Sequence, residues 1–261
     1  MYPYELFWGI DLYDVFLALG LFSAVVIFDL YVAKRNVPAK VQNFYLLLGG
    51  ISIVAGLYGA GLLQSFFNYI RTGVFEFKGL TFYGGVIGGA AIFLFGTFVF
   101  GKAIFKEKEH LAYFNDVYEV APCCITAAHG FGRIGCLMAG CCYGKETDGF
   151  PGLKMSVEKV VGDATARVEG YFLPTQLYEA VFLFALFALL SRLYFKRKNV
   201  NFIVYLLAYG TWRFFIEFLR ADERGAFLPL LTPAQAISIL AVAIGVAMII
   251  KRTFYKRKIK T

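Results

Sequence analysis

The strongest constraint in this chain is the length of its apolar runs. Stretches near residues 11–33, 43–69, 81–100, 115–137, 175–195, 202–219 and 231–250 each reach or approach the roughly 20 residues that cross a bilayer as helix. Lipid offers the backbone no hydrogen-bond partner, so continuous apolar segments of this length must close their bonds within themselves, as helices do. The expectation is an all-α integral membrane protein of about seven transmembrane helices. With 59% hydrophobic and only 17% charged residues, the chain lies outside the range of water-soluble domains.

The opening "MYPYELFWGIDLYDVF" has no basic residue and carries Glu5, Asp11 and Asp14, unlike a cleaved signal peptide. It is expected to stay as the first helix. Lysine and arginine set orientation. Counted over alternating loops, one set runs from Lys34 and Arg35 through Lys102 and Arg192 to the tail and totals 16, whereas the opposite set, including Arg71, Lys145, Arg167 and Arg220, totals eight. This places the N-terminus outside and the C-terminus in the cytoplasm. The net charge of +8 then follows from basic loops meeting anionic lipid, and it does not argue for nucleic acid.

No internal repeat or long polar linker interrupts the spans, so residues 1–261 are expected to form a single membrane domain. The largest polar piece, 145–173, is expected to be a small external cap whose "MSVEKVV" and "ARVEGYF" pair as a hairpin. Glycines crowd "GGISIVAGLYGAG" and "YGGVIGGA", where small residues let helices approach closely. At Tyr83 to Gly89 they also leave room for a bulky ligand.

Charged groups within a bilayer are costly, about 2.5 to 3.5 kcal/mol each on insertion scales, and usually pair or serve function. Arg133 and Arg213 qualify. In "YLLAYGTWRFFIEFLRADERG" the residues Tyr209, Arg213, Glu217 and Arg220 fall on one helix stripe. Mutual neutralisation of Arg213 and Glu217 is the bland alternative. Under the orientation above, Tyr83, Arg133 and the "PTQLYE" segment with Gln176, Tyr178 and Glu179 sit at the same outer level. Arginine's planar fork suits phosphate, so the pocket is expected to take an anionic lipid headgroup. His129, one turn before Arg133, is a plausible base or a structural hydrogen-bonding group. His110, in "FKEKEHLAYF", is expected to be solvated.

"CLMAGCC" with Cys123, Cys124 and His129 offers enough sulfur and nitrogen donors for zinc or copper. The spacing is poor, since no C-x-x-C occurs and adjacent cysteines seldom share an ion, so no metal site is expected. The cysteines are expected to pack as small apolar residues. Their odd number defines no disulfide framework.

"GRIGCLMAGCCYG", "FYGGVIGG", "LPTQLYEA" and "YGTWRFFIEFLRADERG", in this order on this topology, resemble the prolipoprotein diacylglyceryl transferase family over nearly the whole chain. The resemblance implies a multi-pass protein of the bacterial cytoplasmic (inner) membrane, with no cofactor. It would move the diacylglyceryl group of phosphatidylglycerol to the lipobox cysteine thiol of a prolipoprotein, releasing glycerol 1-phosphate. The nucleophile then belongs to the substrate. Gly132, Arg133 and Gly144 match the family signature, and Tyr209, Arg213 and Glu217 match its sixth-helix residues. Tyr83, Gly84 and Gly85 stand where the family has His-Gly-Gly. Cys136, Ala139 and Cys141 stand where the signature has Asn, Asn and Glu, which resembles a variant branch.

The expected catalytic residues are therefore Arg133, Arg213, His129, Tyr83 and Tyr209. Those expected to bind substrate are Gly84, Gly85, Gly132, Gly144, Gln176, Tyr178, Glu179, Glu217 and Arg220. Three groups, His129, Tyr83 and Tyr209, remain open as the base. The competing readings are the same fold with a changed lipid donor or acceptor, and a non-enzymatic membrane protein that binds metal or senses oxidants through its cysteines.

Overall fold

The computed structural model describes residues 4–77, 81–161, 164–221 and 231–258. Lys78 and Arg224, which entered the orientation count, lie outside the described residues, as does the side chain of Tyr83. Among the described residues, six helices are long and apolar enough to cross a membrane: Leu12–Lys34, Ala39–Ile70, Gly84–Ile104, Thr175–Phe195, Asn201–Leu219 and Pro233–Phe254. Their flanks expose Phe22, Leu57, Ile87 and Leu240, an apolar exterior suited to lipid. The chain is a mostly helical, multi-pass membrane protein. The remaining expected span, 115–137, is also a helix, Phe114–Ala139, with a length of about 39 Å at 1.5 Å per residue. Asp116, Glu119, His129 and Arg133 dilute its apolar character, so length qualifies it and composition does not.

The chain packs as two compact units, residues 28–117 and residues 1–27 with 118–261. In the first, α2 (Ala39–Thr72) and α3 (Phe82–Phe95) lie together through glycine. A Cβ at Gly59 would come 2.6 Å from the Gly84 carbonyl, and one at Gly56 would come 2.9 Å from that of Gly85. Lipid tails are as apolar as leucine, so close backbone approach supplies much of the helix association. Gly84 and Gly85 therefore sit in a helix contact, the packing role that small residues take by default.

After α3 the helix widens into a π turn at Gly96–Phe100 and continues as α4 (Gly101–Ile104). A short connection leads to α5 (Glu109–Ala112). The expectation of a solvated His110 fails here. His110 is fully buried, its ring centroid 5.2 Å from Phe105 and 5.9 Å from Phe44, and its Nε2 lies 3.0 Å from the Thr97 carbonyl. That carbonyl lies within the π turn, where the regular i→i−4 ladder is interrupted. The ring occupies the space that a Cβ at Gly101 would fill, which polar loop composition could not reveal. Arg35 pairs with Asp116 in the same unit.

The second unit opens with a short hairpin, β1 (Glu5–Phe7) and β2 (Ile10–Asp11), that leads into α1 (Leu12–Lys34). Its other helices are α6 (Phe114–Ala139), α7 (Thr175–Phe195), α8 (Asn201–Ile216) and α9 (Pro233–Lys258). Asn201 ties three of them together: its backbone N–H donates to Glu119 Oε2 at 2.8 Å, and its side-chain amide donates to the carbonyls of Glu119 and Leu190 at 2.9 and 3.0 Å. Gly210 admits α9 to α8, since a Cβ there would lie 3.0 Å from Val242.

The expected hairpin within 145–173 is present. Strands β4 (Leu153–Val161) and β5 (Ala164–Phe172) pair antiparallel with Val157 opposite Val168, and β3 (Glu146–Thr147) adds to the free edge of β5. Strand alternation places Met155 and Val157 in a small core with Tyr143 and Phe172, against Leu137 at the end of α6. The opposite face carries exposed pairs, Arg167 with Glu158 and Lys154 with Glu169, worth about 0–1 kcal/mol each. The small apolar core, not the ion pairs, fixes this sheet over the helix end.

Candidate active site

Helix α6 places His129 and Arg133 one turn apart, and α7 brings Glu179 against them. Glu179 is completely buried. Its Oε2 lies 2.9 Å from Arg133 Nε, and its Oε1 accepts a 2.9 Å hydrogen bond from the Tyr209 hydroxyl of α8. His129 Nε2 stands 3.8 Å from the same Oε1, and its ring meets Tyr209 edge-on at 5.3 Å. Three helices thus converge on one carboxylate. A buried carboxylate without partners would be prohibitive, so the guanidinium, phenol and imidazole are what permit it.

A second charged pair follows one turn along α8. Arg213 Nη2 contacts Glu217 Oε2 at 2.8 Å. Glu217 Oε1 accepts a 3.0 Å hydrogen bond from the Thr232 hydroxyl. Thr232 and Gln235 exchange hydrogen bonds at 3.1 and 3.3 Å, the reciprocal pattern of a capping box at the start of α9. Arg213 Nη1 is buried with no hydrogen-bond partner, and the guanidinium acts electrostatically on Glu179 and His129. An unspent cationic N–H, together with the partly exposed guanidinium of Arg133, is the donor set that an anionic phosphate oxygen requires.

Arg220 corrects the expected stripe. Helix α8 ends at Ile216, the next three residues form a 3₁₀ turn, and Arg220 is extended, with φ −80° and ψ 150°. It leaves the helix and bridges Gly144 as an isolated β pair. Helical spacing therefore holds for Tyr209, Arg213 and Glu217 but stops before Arg220. The bridge explains Gly144: a Cβ there would lie 2.7 Å from the Leu219 carbonyl and 2.8 Å from that of Leu173. The Gly144 N–H donates to the Leu173 carbonyl at 2.8 Å, and that of Lys145 to the Leu219 carbonyl at 2.9 Å. Only glycine fits between two backbones this close.

Between α6 and Gly144 the chain turns on a Schellman motif. Gly140 is left-handed, at φ +74°, its N–H reaches the Leu137 carbonyl at 3.4 Å, and the Cys141 N–H reaches that of Cys136 at 3.1 Å. These are the paired 5→2 and 6→1 bonds of that cap. Gln176 donates its amide to the Cys141 carbonyl at 2.6 Å, and the Thr175 hydroxyl donates to the Cys142 carbonyl at 3.0 Å. Hydrogen bonds from Cys136 and then Cys141 hold the Cys142 thiol well below the usual thiol range, and Arg220 and Arg133 act in the same direction.

The structure therefore brings together Arg133, His129, Glu179, Tyr209, Arg213 and Glu217. Gln176 supports the cysteine turn. Tyr178 points elsewhere, its hydroxyl donating to the Pro151 carbonyl at 3.2 Å. Beside Arg133, Gly132 faces open space, with nothing within 4 Å of a Cβ placed there. Thr232 and Gln235 were missed at the sequence level, although "TPAQ", a threonine three residues before a glutamine with proline at the first helical position, is a readable helix start.

The family model for prolipoprotein diacylglyceryl transferases matches residues 4–251. Among relatives, the phosphatidylglycerol–prolipoprotein diacylglyceryl transferase of Clostridium tetani is 30% identical over 93% of this chain and 94% of its own length. The second such enzyme of Clostridium perfringens is 32% identical over 90% of this chain and 88% of its own. That of Stenotrophomonas maltophilia is 25% identical over 95% and 88%. With Arg133, Arg213, Glu179 and Tyr209 gathered on helices matched from end to end, the chain belongs to the prolipoprotein diacylglyceryl transferase family.

Proposed function

We propose that this chain transfers the diacylglyceryl group of phosphatidylglycerol to the lipobox cysteine of a prolipoprotein, at the outer level of the bacterial cytoplasmic membrane. The sulfur attacks the glyceryl carbon that bears the phosphate, a C–S bond forms as the C–O bond breaks, and glycerol 1-phosphate leaves. The observation that carries this reading is Arg213, whose Nη2 is held by Glu217 while its buried Nη1 has no partner. Charge grows on the phosphate as the bond breaks, and preorganised donors in a dry site stabilise that growth most.

Arg133 supplies a second guanidinium, oriented by Glu179 at 2.9 Å. A thiol of pKa about 8.5 needs only modest help in losing its proton. His129 is the group assigned to receive it, because the Tyr209 hydroxyl already donates to Glu179. The relatives' names support the substrate pair, and the outward placement rests on the basic-loop count.

The test is rescue of cells depleted of their own transferase, with a reporter prolipoprotein followed by gel shift. Rescue is expected to be lost in Arg213→Ala and to survive Cys141→Ser combined with Cys142→Ser. A wild-type chain that leaves the reporter unmodified although it reaches the membrane would overturn the assignment.

A further inference from the structure

The proposed reaction leaves three thiols unused. The Sγ atoms of Cys136, Cys141 and Cys142 all lie within 4.8 Å of one another, and none of the five cysteines is disulfide-bonded. Spacing alone speaks against a shared ion, because neighbouring side chains ordinarily diverge and no C-x-x-C is present. The Schellman motif removes that objection. It brings its first and last residues, Cys136 and Cys141, together through the 3.1 Å bond between them, in the place where this cap usually makes a hydrophobic contact. Cys142 is itself left-handed, at φ 60°, so it does not alternate away from Cys141 as it would in an extended chain.

The turn is also held from outside. Gln176 and Thr175 fix the carbonyls of Cys141 and Cys142, and the space for a Cβ at Gly140 is taken by the Ser156 carbonyl. A ligand set fastened by neighbouring hydrogen bonds gives up little freedom when it closes on an ion. Gln176 is almost fully buried, and its Oε1 has no hydrogen-bond partner, leaving an oxygen donor beside the cysteine turn.

We propose that Cys136, Cys141 and Cys142 form a trithiolate site for a soft d10 metal ion, copper(I) or zinc(II). Metal–sulfur bonds of about 2.3 Å put the sulfurs roughly 3.8 to 4.0 Å apart in tetrahedral or trigonal geometry, so the cluster needs only a small contraction. Soft thiolates select these ions over magnesium or calcium. Binding displaces the thiol protons and changes no oxidation state. The resulting anionic site is offset by Arg133 and Arg220, both of which act electrostatically on Cys142. Copper(I) is served by three sulfurs, whereas zinc adds a fourth donor.

The full chain, purified in detergent and reduced with a phosphine, is titrated separately with zinc(II) and copper(I), then desalted and analysed for bound metal. Wild type and Cys124→Ser are expected to keep about one ion each, and Cys141→Ser with Cys142→Ser to lose it. The metal retained distinguishes the two ions. Alkylation of wild type, mapped by mass spectrometry, guards against misfolding of the variant: the ion should slow modification of Cys136, Cys141 and Cys142 by at least about tenfold, and leave Cys124 unchanged. Equal alkylation with and without metal, or equal retention by the double variant, would sink the proposal. Neither readout depends on transferase activity.

Discussion

Replacing Arg213 with glutamine separates catalysis from simple charge neutralisation. The side chain of Glu217 is 4% exposed and is contacted by Arg213 Nη2 at 2.8 Å and by Thr232 Oγ1 at 3.0 Å. Removing the guanidinium strands a buried carboxylate with one neutral donor, at a cost of about 3–5 kcal/mol in stability. If Arg213 also stabilises the leaving phosphate, its loss removes a further 2.7–4 kcal/mol or so from the transition state, a drop of about 10²–10³ in kcat. Arg213→Gln combined with Glu217→Gln restores the first quantity and not the second. The two are read by thermal unfolding in detergent and by glycerol 1-phosphate release from phosphatidylglycerol with a lipobox peptide. A double variant that recovers both stability and turnover to within about tenfold of wild type would refute the leaving-group role and leave Arg213 as the counter-ion of Glu217.

Three further outcomes follow from the geometry. Glu179→Gln keeps an acceptor for Tyr209 but leaves Arg133 without its carboxylate, and should lower stability by about 3–5 kcal/mol along with turnover; unchanged unfolding would show that the pair is not formed. Gly144→Ala forces a methyl between the Leu173 and Leu219 backbones and should cost about 1–3 kcal/mol, whereas Gly132→Ala enters open space within a helix and should gain about 0.5–1 kcal/mol. Thermal scans of the two variants side by side decide this. Gly101→Ala should displace the buried His110 ring and destabilise by a similar 1–3 kcal/mol; adding His110→Ala should return part of that loss, and strict additivity in the cycle would contradict the contact.

Much of the site was legible because helical periodicity survives folding. Arg213 on α8 and Glu217 at the start of the 3₁₀ turn that continues it fall four apart, and His129 and Arg133 fall four apart on α6, so sequence spacing alone aligns each pair. Arg220 escaped this logic, since nothing in "EFLRADERG" marks where the helix loosens into a 3₁₀ turn, and one step into extended backbone redirects the side chain. Glu179 appeared in the sequence only as an expected contact to substrate. Its position as the shared partner of three helices depends on how α6, α7 and α8 pack. His110 looked solvated because its neighbours are charged, yet a missing Cβ at Gly101 opens a slot for its ring.

The apolar runs by themselves determined a helical membrane protein, since a chain in lipid must satisfy its backbone internally. Strand alternation in 153–172 likewise determined the hairpin, with Met155 and Val157 on one face. Tertiary structure alone decided which polar groups share a partner and that three cysteines of unpromising spacing meet. Sequence distance does not report approach between helices, and the left-handed glycine at position 140 closes the cap that brings Cys141 back to Cys136.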